Sequence, residues 1–145
     1  MTGRHKTSEF KVYPNRGKDY YRVLLFDHAK DMYWVVREQR KVWGLSRIGR
    51  YNFGGLTQSY RVLAPAKTRH EIGLITLARP YSRRAGVVAH EMFHAALYYW
   101  LERWPVKLLA KSRYEEKVAR SVGWMTAQYW EKWYKLNRRA ITDRV

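Results

Sequence analysis

Residues 71–104 constrain the fold of this chain more than any other stretch. EIGLITLA (71–78) is nearly all apolar and ends at Arg79-Pro80, which reads as a strong strand with a hard stop. PYSRRAGVVAHEMFHAALYYWLERW (80–104) then reads as one helix, with Ser82 as its N-cap and Pro105 as its end. A strand leading into a buried helix is therefore the centre around which the remaining elements must arrange.

Those elements are legible as pattern. EFKVY (9–13) and YYRVLLF (20–26) read as strands joined by the turn PNRGKD (14–19), built on Pro14, Asn15 and Gly17. From Asp27, an N-cap residue type, the period changes. Ala29, Met32, Tyr33, Val36 and Trp43 share one helical face, which predicts a helix to about Val42. GLSRIGRYNFGG (44–55) carries four glycines and predicts a loop. LTQSYRVL (56–63) predicts a strand closed by Pro65. Residues 106–113 read as a linker or a short helix. From about Tyr114 to Arg139 a long helix carries the stripe Val118, Val122, Met125, Tyr129 and Leu136. Strands early and helices late predict an α+β domain in which a short, mostly antiparallel sheet packs on helix 80–104 and a long C-terminal helix.

With 145 residues, the expectation is a single domain over residues 1–145. There is no cysteine, so neither disulfides nor thiolate metal sites are open to it. No apolar run reaches the length of a membrane span and no signal-peptide pattern opens the chain, so no membrane partner and a cytoplasmic location are expected. The charge is extreme: 29 Lys and Arg against 12 Asp and Glu, a formal +17. Such a balance draws polyanions by counterion release and points to nucleic acid as a partner.

Within the central helix, VVAHEMFHAAL (87–97) sets His90 and His94 four residues apart with Glu91 between them. At 3.6 residues per turn the two imidazoles stack on one face and can aim at one ion. Zinc accepts neutral imidazole nitrogen, and Glu91 is the residue type that serves as general base for a bound water. Val87, Val88, Ala89, Met92, Phe93, Ala95 and Ala96 around them are uncharged, as a buried helix requires. The competing reading is a pair of histidines hydrogen-bonded within the core. His5, His28 and His70 lack partner spacing and read as exposed or capping residues.

VVAHEMFHAAL resembles the active-site helix of the zincin metallopeptidases, and EIGLITLA resembles the edge strand along which zincins lay their substrate. The resemblance covers residues 71 to about 128. In size and order the chain is similar to small single-domain metallopeptidases of the ImmA/IrrE type. No histidine follows His94, so the resemblance implies a carboxylate third ligand, as in the gluzincins. Glu102 lies two turns further along the same helix, about 12 Å away, and Asp143 sits in the terminal tail. Gluzincin ligand glutamates are often followed by small residues three and seven positions on, and Glu116 has Ala119 and Gly123 there. Ala119, Gly123 and Ala127 also line one side of the last helix, where small residues would let two helices close up. Glu116 is favoured on these grounds, with Glu115 as the alternative; both also suit a helix N-terminus.

The resemblance implies a zinc-dependent metallopeptidase acting on a protein or peptide. His90, His94 and Glu116 would hold Zn2+ and Glu91 would be the catalytic base. Tyr81, Tyr98, Tyr114 and Tyr129 are the available oxyanion donors. The alternative is a basic nucleic-acid-binding module with a structural or vestigial metal site. Trp124, Trp130, Trp133 and Tyr134 could then stack on bases, although aromatics on such a helix more often serve the core.

Overall fold

The computed structural model describes residues 8–42, 55–59, 70–103 and 112–142, which form a mixed α+β arrangement. In chain order these hold β1 (Ser8–Val12), β2 (Tyr20–Phe26), α1 (Ala29–Val42), β3 (Gly55–Ser59) and β4 (Glu71–Ala78). A 3-10 turn (Tyr81–Arg83), α2 (Ala85–Arg103) and α3 (Ser112–Thr142) follow. The expected loop as far as Gly54, the far half of the expected strand 56–63 and most of the linker lie outside the described residues, as do Trp43, His5 and Asp143.

The four strands make one sheet in the order β1-β2-β4-β3. β1–β2 and β3–β4 pair antiparallel and β2–β4 parallel, so two of the three pairings are antiparallel. EIGLITLA is therefore not the edge strand that its resemblance implied. It lies inside the sheet, paired on both sides, and β3 takes the edge. The physical reason is composition: an unbroken apolar strand is stable where both faces are covered, as helices cover both faces of β4 here.

Alternation along the two inner strands divides the core. Tyr21, Val23, Leu25, Ile75 and Leu77 point to the face covered by α2 and α3. Leu24, Phe26, Leu74 and Ala78 point to the other, where Met32 and Val36 of α1 close over them. Gly73 allows the sheet to form here. A Cβ on it would stand 2.2 Å from the Gln58 carbonyl oxygen and 2.6 Å from the Tyr21 ring. The Tyr21 hydroxyl reaches through to donate to the Ala95 carbonyl at 3.0 Å, and burial drives its pKa far above the usual phenol value.

Two helix starts differ from expectation. α1 opens on His28, whose carbonyl accepts from the N–H groups of Asp31 and Met32, while the Asp27 carboxylate lies 3.5 Å from Arg79. Ser82 does not cap α2 but lies inside the 3-10 turn, buried, with its carbonyl accepting from the Tyr129 hydroxyl at 2.7 Å. α2 begins one step later, where the Val88 N–H donates to the Arg84 carbonyl.

α3 packs on α2 through Tyr114, Val118, Met125 and Tyr129, joined by a hydrogen bond from the Trp100 indole to Ser121 at 2.9 Å. It also closes the β1 margin of the sheet. The Gln128 side chain accepts from the Tyr13 N–H at 2.8 Å and donates to the Tyr13 carbonyl at 2.9 Å. The Ser121 hydroxyl donates to the Pro14 carbonyl, and the Lys132 ammonium donates to the Lys11 carbonyl. A helix thus satisfies edge groups that another strand would otherwise seek.

Candidate active site and metal centre

α2 presents His90 and His94 one turn apart on its outer side, His90 exposed and His94 half-buried. Their Nε2 atoms lie 3.0 Å apart. Two imidazole nitrogens bound at zinc's usual distance on one tetrahedral ion stand about 3.3 Å apart. The observed separation is a hydrogen-bonding distance between the two rings and is a few tenths of an ångström shorter than that spacing. Tyr98, one turn further on, stacks against His94 with ring centroids 5.9 Å apart and planes at 25°.

Glu91 lies around the helix from the histidines and is 6% exposed. Its position is set by β3. Thr57 Oγ1 stands 2.6 Å from Glu91 Oε2 and 3.1 Å from the Glu91 carbonyl. Gly55, two residues earlier on the same strand face, brings the backbone so close that a Cβ there would meet Glu91 Cγ at 3.1 Å and Leu77 Cδ2 at 2.7 Å. Two residues later, Ser59 donates to Glu102 at 2.6 Å. One face of β3 is thus fastened along α2, and the carboxylate of Glu91 is held by one oxygen with Oε1 left over.

These groups share a cavity of about 560 Å³, lined by Gly55, Leu56 and Thr57 from β3, Tyr81 before α2, and His90, Glu91, His94 and Tyr98 from α2. The cavity wall is otherwise apolar. It combines two imidazoles, a fixed carboxylate and two phenols beside a strand margin that pairs with no other described strand. No family model, curated protein or solved structure matches this chain. The chemistry of the site therefore rests on its own residues.

The structure brings His90, Glu91 and His94 to one cavity and leaves Glu116 and Glu115 away from it. Both glutamates are exposed at the start of α3, and Glu116 faces Arg120 at 3.7 Å. Among the described residues, no group of three His, Cys, Asp or Glu stands within reach of one ion. The small-residue row that favoured Glu116 also lies elsewhere: Ala119, Gly123 and Ala127 face solvent. Burial of the larger side chains Tyr114, Val118, Met125 and Tyr129 fixes the rotation of α3, and the small residues follow it outward. Trp100, which meets α3, lies about 120° around α2 from His94, so α3 and the histidines occupy different sides of that helix.

Of the four tyrosines open as oxyanion donors, Tyr81 and Tyr98 line the cavity. Tyr114 and Tyr129 are buried against α2. His28 is exposed at the start of α1, and His70 Nδ1 lies 3.4 Å from Asp19. Sequence reasoning missed Thr57 and Gly55. The alternation of GLTQS places them on one face, but nothing local in that pentapeptide names α2 as its neighbour.

Proposed function

We propose that the chain is a zinc-dependent metallopeptidase of zincin-like arrangement, with His90 and His94 as metal ligands and Glu91 as general base. The convergence of the two Nε2 atoms beside a fixed Glu91 carboxylate supports this reading most directly. Zinc bound at the histidines would supply Lewis acidity, polarising the scissile carbonyl and acidifying a water. With zinc held there, Glu91 Oε1 would take a proton from the attacking water as the water oxygen bonds to the carbonyl carbon, and would deliver that proton to the amide nitrogen as the C–N bond breaks. Tyr81 and Tyr98 offer hydroxyl donors to the developing oxyanion. No described strand pairs with the outer side of β3, so an extended peptide can add there through main-chain hydrogen bonds.

The resemblance assigns the third ligand to Glu116, which in its described position is exposed on α3, on a different side of α2 from the histidines. Outside the described residues the chain holds only two further His, Asp or Glu side chains, His5 and Asp143.

Metal analysis of the purified protein is expected to give zinc near one per chain, lost on replacing His90 and His94 together by Ala. Glu91→Gln should keep the zinc and lower peptide hydrolysis by at least ~10²-fold. Full zinc in the double variant, or an unchanged rate in Glu91→Gln, overturns the reading. Equilibrium dialysis of Glu116→Ala tests the third ligand: a fall of an order of magnitude or more assigns Glu116 to the centre, and unchanged affinity removes it.

A further inference from the structure

Among the described residues, four basic side chains gather with two aromatic rings at the β1–β2 hairpin. On β1, the Lys11 ammonium lies 4.4 Å from the centre of the Tyr20 ring. From α3, the Lys132 ammonium lies 5.5 Å from the centre of the Tyr13 ring and donates to the carbonyl of Lys11 itself. The two rings are neighbours, with centroids 5.9 Å apart. Two cations and two phenols therefore form one interleaved cluster across the β1–β2 hairpin and the helix that seals it. The turn beyond adds Arg16 and Lys18, both exposed, on either side of Gly17. Gly17 has φ +133°, a backbone state that favours glycine and sets the course of that turn.

The acids nearby are already engaged. Glu9 and Glu71 face Arg22, Asp19 binds Arg103 at 2.7 Å, and Glu131 binds Lys135 at 3.0 Å. Among the described residues Lys11, Arg16, Lys18 and Lys132 have no acidic partner in contact. Of the four, Lys132 is half-buried and the others are exposed. Burial lowers the pKa of its ammonium, and Lys135 and Lys11 add to that effect against the opposing pull of Glu131. A polyanion arriving at the cluster would relieve like-charge repulsion and release its own counterions.

We infer that the hairpin cluster of Lys11, Lys132, Tyr13 and Tyr20, extended by Arg16 and Lys18, is a docking surface for nucleic acid. Phosphates would meet ammonium groups already held over rings, so little side-chain entropy remains to be lost. The part-exposed phenols offer flat surfaces to unpaired bases. β1 is the opposite margin of the sheet from β3, which leaves the cavity open while a strand is bound. The two surfaces together describe a protease that would work on nucleic-acid-associated protein, yet the docking surface does not depend on the hydrolytic reading.

Fluorescence anisotropy with a labelled oligonucleotide of arbitrary sequence, single-stranded or duplex, tests this at several salt concentrations. Lys11→Glu and the pair Lys11→Glu/Lys132→Gln are compared with Lys30→Glu/Arg37→Glu on the exposed side of α1. The paired hairpin variant is expected to bind at least tenfold more weakly, with a log–log salt slope shallower by roughly one to two on duplex. The α1 variant is expected to stay within about threefold of the wild type. Lys11→Glu alone, whose side chain bonds no backbone group, should show the same direction if the paired variant folds poorly. Zinc content and hydrolysis should not change in any of them. Equal loss in the hairpin and α1 variants, or no binding at low salt, overturns the assignment. Binding of polyglutamate as tight as that of an oligonucleotide of equal charge would assign the surface to acidic protein and overturn it too.

Discussion

A single hydroxyl proton sits at the centre of the geometry around Glu91. Thr57 Oγ1 has two acceptors within reach, the Glu91 carboxylate at 2.6 Å and the Glu91 carbonyl at 3.1 Å, and can donate fully to only one. The shorter contact, to the side-chain oxygen, takes it. Thr57→Val preserves shape and removes that donor, leaving a buried carboxylate oxygen short of a partner. The expected cost is about 1–3 kcal/mol of stability, read by chemical denaturation, with Thr57→Ser recovering most of it. A Val variant as stable as the wild type would mean that Thr57 does not hold the carboxylate. His90, Glu91 and His94 were legible in the sequence because their relation is local, fixed by the helical repeat. Thr57 was not, because its relation to Glu91 spans 34 residues and depends on where a strand comes to rest.

The helices were read well as elements and less well as neighbours. The stripe Val118, Met125, Tyr129 is buried as its spacing implied, with Val122 half-buried beside it. The row Ala119, Gly123, Ala127 seemed equally suited to a close helix contact, yet it faces solvent. Four-residue spacing marks a face without saying what lies opposite, and apolar area decides between competing faces. A direct test is Gly123→Ala, since a Cβ at that position meets nothing within 4 Å. The substitution should stabilise the protein by about 0.5–1 kcal/mol through helix propensity alone, seen as a higher melting temperature. Destabilisation would place the small-residue row against another surface after all. The order of elements was also legible, but the sheet was not: which strand lies inside follows from the cover each face receives, and α1 supplies that cover from the far side.

At the scale of the whole molecule, a formal charge of +17 repels itself most strongly in the compact state. Added monovalent salt should therefore raise the melting temperature while weakening oligonucleotide binding, two responses of opposite sign from one cause. Differential scanning fluorimetry across a salt series checks the first, and a falling melting temperature would show that net attraction between specific charges outweighs the repulsion. The seal that α3 places on β1 has a consequence for biosynthesis. Tyr13 and Gln128 are 115 residues apart. At ordinary translation speeds the hairpin leaves the ribosome roughly 5–25 s before the helix that covers it. Throughout that interval the nascent hairpin carries backbone groups that α3 has yet to cover, and its lysines are what discourages a foreign strand from pairing there.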